Sequence, residues 1–175
     1  MVLLMSVPAS ASTSWSRLAT HLIAHNEVTI NRSADRIWPY ILELDDWKQG
    51  PKLEHVDGPV HQKGERFAAM MPKTSAEALY FVENVELIPN RRRTMKLYSR
   101  DQCALIGFAS WELSENNGST VVTFDVYAEY VASERIPVDQ DAQKRAGAED
   151  EMATVQNARF AAELLTLKGL VEKNP

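Results

Sequence analysis

A few side chains in this sequence stand where a reaction could use them. On the run from Leu79 to Leu87 the odd positions Leu79, Phe81, Val85 and Leu87 form an apolar row that also contains Glu83. A carboxylate lining a dry space has its pKa raised and can serve as general acid or base. His55 shares a face with Leu53 and carries an imidazole that titrates usefully near neutrality. Glu83 and His55 are therefore the candidate catalytic pair. Tyr130, in phase with Val126 and Ala128, offers a phenol, and Asn157 offers an amide, to orient substrate oxygens. Trp38, Trp47, Phe67, Phe81, Trp111, Phe124 and Met152 complete the expected binding wall.

Other chemistries find less support. His21 and His25 have helical zinc-ligand spacing, but no Glu follows the first histidine as in the metalloprotease helix, so no metal is expected. Cys103 has no neighbouring His or helix start to activate it and reads as a small buried apolar residue. Neither a Gly-rich phosphate loop nor a Gly-x-Ser-x-Gly elbow occurs, and no cofactor is expected.

Composition bounds the rest. With 175 residues, 45% hydrophobic and 25% charged, the chain has the make-up of one globular domain. Its net charge of −5 argues against a nucleic-acid partner, and the basic run Arg91 to Arg93 reads as a solvated turn. A single cysteine fits a reducing compartment, and a cytoplasmic location is expected. No stretch approaches the ~20 apolar residues of a membrane span, and the apolar start lacks the positive region of a signal peptide.

The elements that must position these residues follow from periodicity. Residues 1–25 read as a loose arm followed by a short helix, Ser14 to Ala24, on the spacing of Trp15, Leu18, Ala19, Leu22 and Ile23. Residues 26–175 form the main domain. It opens with a strand at Glu27 to Asn31, followed by two short helices, the first capped by Ser33 and interrupted by Pro39, the second at Leu44 to Lys48. Six strand-like runs come next, at 53–56, 65–71, 79–88, 94–99, 105–114 and 119–131. Asn117-Gly118 should be the tip of a hairpin with a primed turn. The last long run, Asp141 to Val171, predicts one helix with two apolar rows. Ala153, Phe160, Leu164, Leu167 and Val171 make the first, and Val155, Ala158, Ala162 and Leu165 the second. Both rows call for burial, so the helix should lie between two bodies of protein. Of its polar seams, one carries Gln156, Arg159 and Glu163, with Arg159 paired to Glu163 one turn on, and the other Asp150, Asn157 and Lys168.

In order and wording these pieces resemble the START-like (SRPBCC) superfamily, in particular its polyketide cyclase/dehydrase-like branch. The resemblance rests on Val28 to Trp38, Leu44-Asp45-Asp46-Trp47, Gly58-Pro59 with Lys63 to Phe67, Val85 to Arg92, and Trp111-Glu112-Leu113 with Gly118 to Val122. It covers residues 26–172 and implies an α+β helix-grip fold, a curved antiparallel sheet wrapped around a long C-terminal helix. It also implies an apolar cavity between sheet and helix that takes a hydrophobic, aromatic or polycyclic small molecule. Relatives include cofactor-independent cyclases, dehydratases and lyases, as well as carriers and sensors that do no chemistry. The Cys and His pattern of the iron-binding relatives is missing here. A third reading is a protein-partner module of the chaperone-activator kind, with a filled core and an exposed apolar patch. The extra N-terminal helix and an edge strand would give a homodimer somewhere to form.

Overall fold

The computed structural model describes residues 12–18, 21–71, 77–129 and 142–174. In chain order the elements are β1 (Ser12–Leu18), β2 (His21–Ile30), α1 (Ala34–Leu42), a 3-10 turn (Leu44–Asp46), β3 (Lys52–Asp57), β4 (Arg66–Met70), β5 (Tyr80–Ile88), β6 (Arg92–Tyr98), β7 (Leu105–Asn116), β8 (Ser119–Glu129) and α2 (Ala142–Lys173). The eight strands form one antiparallel sheet in the order β1-β2-β8-β7-β6-β5-β4-β3.

The helix expected at Ser14 to Ala24 is two strands. Ser12↔Glu27 through Leu18↔His21 pair β1 with β2, and β2 pairs along its whole length with β8. An isolated helix of this length is marginal, and ten residues of cross-strand pairing outweigh its spacing. The boundary placed at residues 25 and 26 therefore falls inside β2, and β1 continues the sheet of the main domain.

One face of the sheet makes the core. Leu22, Ala24, Asn26, Val28 and Ile30 of β2 are buried in alternation, as are Val122, Phe124 and Val126 of β8 and Ala109, Trp111 and Leu113 of β7. This period of two is that of a sheet covered on one side. At the β7–β8 hairpin Asn116 pairs with Ser119, and Asn117 and Gly118 take φ of 51° and 78°, the primed turn that suits the right-handed strand twist.

Alternation breaks in β5, where the register shifts between Asn84 and Glu86. Before this bulge the even positions Val82 and Asn84 are buried, and beyond it Leu87 packs on the core. The odd-numbered row containing Glu83 is therefore not continuous, because one extra residue reverses the phase. Glu83 points to the outer face between Arg66 and Lys96 of the neighbouring strands and accepts a 2.9 Å hydrogen bond from the Tyr98 hydroxyl. Phe81, cross-strand partner of Tyr98, shares that outer face.

Helix α2 covers the concave face, packing on β2 and β1, with α1 against its far end. Ala153, Phe160, Leu164, Leu167 and Val171 are all buried as expected, but the second row is not. Val155 is 62% and Leu165 38% exposed, and Ala158 and Ala162 are open to solvent. Among the described residues there is a single sheet layer, and none of them covers the helix's far side. Ser33 occupies the N-cap position of α1, yet its hydroxyl turns to Asp35, and the Ala34 N–H donates to Glu115 Oε2 at 2.8 Å. A carboxylate from β7 thus caps the helix and ties it to the sheet.

Candidate functional site

Between α2 and the sheet lies a cluster of aromatic rings. Phe124 is stacked on Trp111 at 3.9 Å between centroids, Phe160 meets Phe124 edge-on at 5.1 Å, and Trp47 meets Trp111 edge-on at 5.6 Å. Trp111 is 0% and Phe124 2% exposed. The Trp47 indole N–H donates to the Tyr40 carbonyl at 2.7 Å, which fixes that ring beside the 3-10 turn.

Polar groups sit around this aromatic floor. Lys48 follows the 3-10 turn and is half-buried, with its ammonium 5.9 Å from the centroid of the Phe124 ring. From α2 come Gln156, Arg159 and Glu163, and from the start of β5 Tyr80 faces the same charges. The Arg159 to Glu163 pair expected from the one-turn spacing is present at 3.4 Å, with the Glu163 side chain 1% exposed. Gly50, at φ +111°, lets the linker pass close over Arg159, since a Cβ there would meet Nη1 at 3.1 Å. Asn26 on β2 is the cross-strand neighbour of Phe124 and is completely buried.

Burial governs the electrostatics of this cluster. The Lys48 pKa is pulled below the usual amine range by desolvation, opposed by Glu163, and lowered further by Arg159 and Arg93. Glu163 is pushed up by desolvation in spite of Lys48 and Arg159. The Tyr80 phenol is raised by the same cause. An amine and a carboxyl, each driven toward its neutral form in one enclosure, are the pairing that acid and base roles need. Several polar atoms here also make no hydrogen bond of acceptable geometry: both amide atoms of Asn26, Nε1 of Trp111, Oε1 of Gln156 and Nε of Arg159, and the Glu163 carboxylate has the Gln49 N–H beside it but short of hydrogen-bond geometry. Buried polar groups are nearly always paired, so their concentration around one ring calls for water or a ligand.

A second buried network is satisfied from within. Arg93 donates through Nε to Asn84 Oδ1 at 2.9 Å and through Nη1 to the carbonyls of Ile41 and Leu42 at 2.6 and 3.0 Å. The Asn84 amide donates in turn to Glu65 Oε2 at 3.0 Å, which also accepts the His61 N–H at 2.9 Å. Burial lowers Arg93 to about 10, against the pull of Glu65, Glu43 and Asp45, which leaves it charged at neutral pH. Its work is to fasten the end of α1 to the sheet.

The residues singled out from sequence divide between these places. Trp47, Trp111 and Phe124 form the floor, Phe67 is buried beneath the Arg93 guanidinium at 5.6 Å, and Asn157 is buried on the inner side of α2. Trp38 lies instead at an outer cleft of about 330 Å³ with Leu42, His61, Gln62, Lys63, Leu87 and Pro89. A shallower cleft of about 220 Å³ lies between α1 and the end of α2, and neither is lined by Lys48, Arg159 or Glu163. His55 is exposed at the edge strand, edge-on to Phe67 at 6.3 Å, with Nε2 3.1 Å from the Gly58 carbonyl. Tyr130 and the Met152 side chain lie outside the described residues. Cys103, expected to be buried, is exposed. His21 and His25 share a strand, where four residues separate them by about 13 Å, too far for one metal, and His25 Nδ1 contacts Asp125 at 2.7 Å. Among the described residues no group of three or more His, Cys, Asp or Glu gathers to hold a metal, and no helix is long and apolar enough to cross a membrane.

Lys48, Tyr80, Glu163 and Asn26 were not among the sequence-derived candidates. Asn26 alternates in phase with Leu22, Ala24, Val28 and Ile30, a signal hidden while residues 14–24 read as a helix. Glu163 stood on a recognised seam. Lys48 had no signal, since its chain enters the interior only because the linker runs across α2.

No family model matches the sequence, and neither does any curated protein. Solved structures do match. The di-domain aromatase/cyclase StfQ of the steffimycin biosynthetic pathway aligns over 88% of this chain and 51% of its own, with a TM-score of 0.62 at 15% identity. The Zhui aromatase/cyclase of a Streptomyces species aligns over 87% and 94%, with a TM-score of 0.58 at 15% identity. A Polyketide_cyc-like protein of Corynebacterium glutamicum aligns over 89% and 94%, with a TM-score of 0.60 at 14% identity. The chain has the helix-grip fold of these solved structures, an antiparallel sheet closed by a long C-terminal helix.

Proposed function

We propose that this protein binds an oxygen-bearing aromatic or polycyclic small molecule between the sheet and α2, and acts on it by proton transfer without a cofactor. The observation that carries this reading is the group of buried, hydrogen-bond-deficient polar atoms around the Phe124 ring, bordered by an amine and a carboxyl shifted toward neutrality. The aromatase/cyclase neighbours support the class of reaction as analogy of fold. In a dehydration, the Glu163 carboxylate removes a proton from carbon beside a carbonyl, whose oxygen the Lys48 ammonium holds, while a C=C bond forms. The C–O bond to a β-hydroxyl breaks, and the hydroxyl leaves as water with the proton that Glu163 has taken. Glu163 is thereby returned to its carboxylate form. Glu83 and His55 take no part, because neither faces this floor.

Mass spectrometry of molecules retained by the purified protein tests the reading. An aromatic or polyketide-like ligand that the wild type converts, and that Glu163→Gln binds but converts at least ~100-fold more slowly, is the expected result. A ligand returned unchanged by wild type makes the protein a carrier, and an interior that retains and accepts nothing ends the proposal. The partner-module reading is favoured by one feature, the exposed pair Phe108 and Tyr127 facing each other across β7 and β8, with Leu105 exposed on the same strand as Phe108.

A further inference from the structure

The charges around the aromatic floor do not balance. Lys48 and Arg159 both act on the carboxylate of Glu163, whose Oε1 is 3.4 Å from Arg159 Nε without hydrogen-bond geometry, while Asp45, the other acidic group near Lys48, is engaged by the Leu53 N–H. Among the described residues the Lys48 amine makes no hydrogen bond or ion pair, its contact being the face of Phe124. Arg93, the other cation inside, is consumed by Asn84 and two carbonyls. Two cationic donors thus stand over buried aromatic rings with one acidic group between them, and burying the excess positive charge is costly unless an anion joins it.

Resting on the ligand site proposed above, we infer that its occupant carries an acidic oxygen, a carboxylate or the anion of a phenol or enol, which Lys48 and Arg159 bind at the rim while the aromatic body lies beside the Phe124 ring. The placement suits entry from outside, because Lys48 and the Arg159 side chain are each partly exposed and Gly50 leaves the linker backbone close against the guanidinium. Gln156, whose Oε1 lacks a donor, and Glu163 would accept from ligand hydroxyl groups beside the anion.

Two probes of equal size separate this inference from the reading it rests on. Equilibrium dialysis of the full chain at pH 7 is run with 2-naphthoate and with neutral 2-naphthamide. Naphthoate is expected to bind roughly ten-fold more tightly or better. Lys48→Met and Arg159→Gln, each checked for native circular dichroism, should remove most of that preference while leaving naphthamide affinity within about two-fold, and Lys48→Arg should restore it. Equal binding of the two probes, or a preference that survives both neutral substitutions, overturns the anion assignment alone. If neither probe binds, the ligand site itself falls, and the assignment with it.

Discussion

Lys48 and Glu163 show how far a residue's chemistry depends on where the chain carries it. Because the folded-state pKa of Lys48 lies below 10.5, the unfolded chain binds a proton the folded one does not across that interval, and stability rises with pH through it. Urea unfolding between pH 7.5 and 10 should therefore show a larger gain for wild type than for Lys48→Met. Competitive acetylation read by mass spectrometry should give Lys48 a midpoint below 10.5, and a midpoint at that value would refute the buried amine. Arg93 marks the opposite case, a charge whose partners are complete. Removing it strands Asn84, Glu65 and two carbonyls, so Arg93→Ala should lose about 3 kcal/mol or more in denaturant unfolding. A loss below ~1 kcal/mol would place the guanidinium in solvent.

Helix α2 and strand β7 fix the geometry at the scale of elements. The two apolar rows of α2 have the same spacing, yet one is core and the other faces water. Leu164→Ala should accordingly cost about 2–5 kcal/mol, and Leu165→Ala less than about 1 kcal/mol, in the same unfolding measurement. Comparable losses would mean that the second row is covered. In β7, a Cβ on Gly107 would lie 2.4 Å from the Tyr127 carbonyl oxygen and 2.7 Å from the Ala128 Cα. Both are backbone neighbours that cannot rotate away, so Gly107→Ala should loosen the pairing of β7 and β8, read as faster amide exchange around Tyr127 and Ala128.

The whole molecule is one sheet packed against one long helix, with α2 lying along β2 and β1. Bulk and periodicity determined much of this. Alternation in β8, the Asn117-Gly118 turn, the strand runs from β3 onward and the buried row of α2 were all legible, since each is a local pattern that one neighbouring surface must satisfy. Trp47, Trp111 and Phe124, proposed from sequence as part of a binding wall, are buried and in ring contact with one another. The tertiary structure alone decided the rest. Residues 14–24 became strands because β8 offered β2 a ten-residue partner, and Glu83 left the interior because a bulge reversed the parity of its strand. Lys48 entered because a linker crossed α2 near Arg159. Spacing along a chain fixes which residues share a face of an element, but which faces meet, and which charges are desolvated together, depends on contacts between residues far apart in sequence.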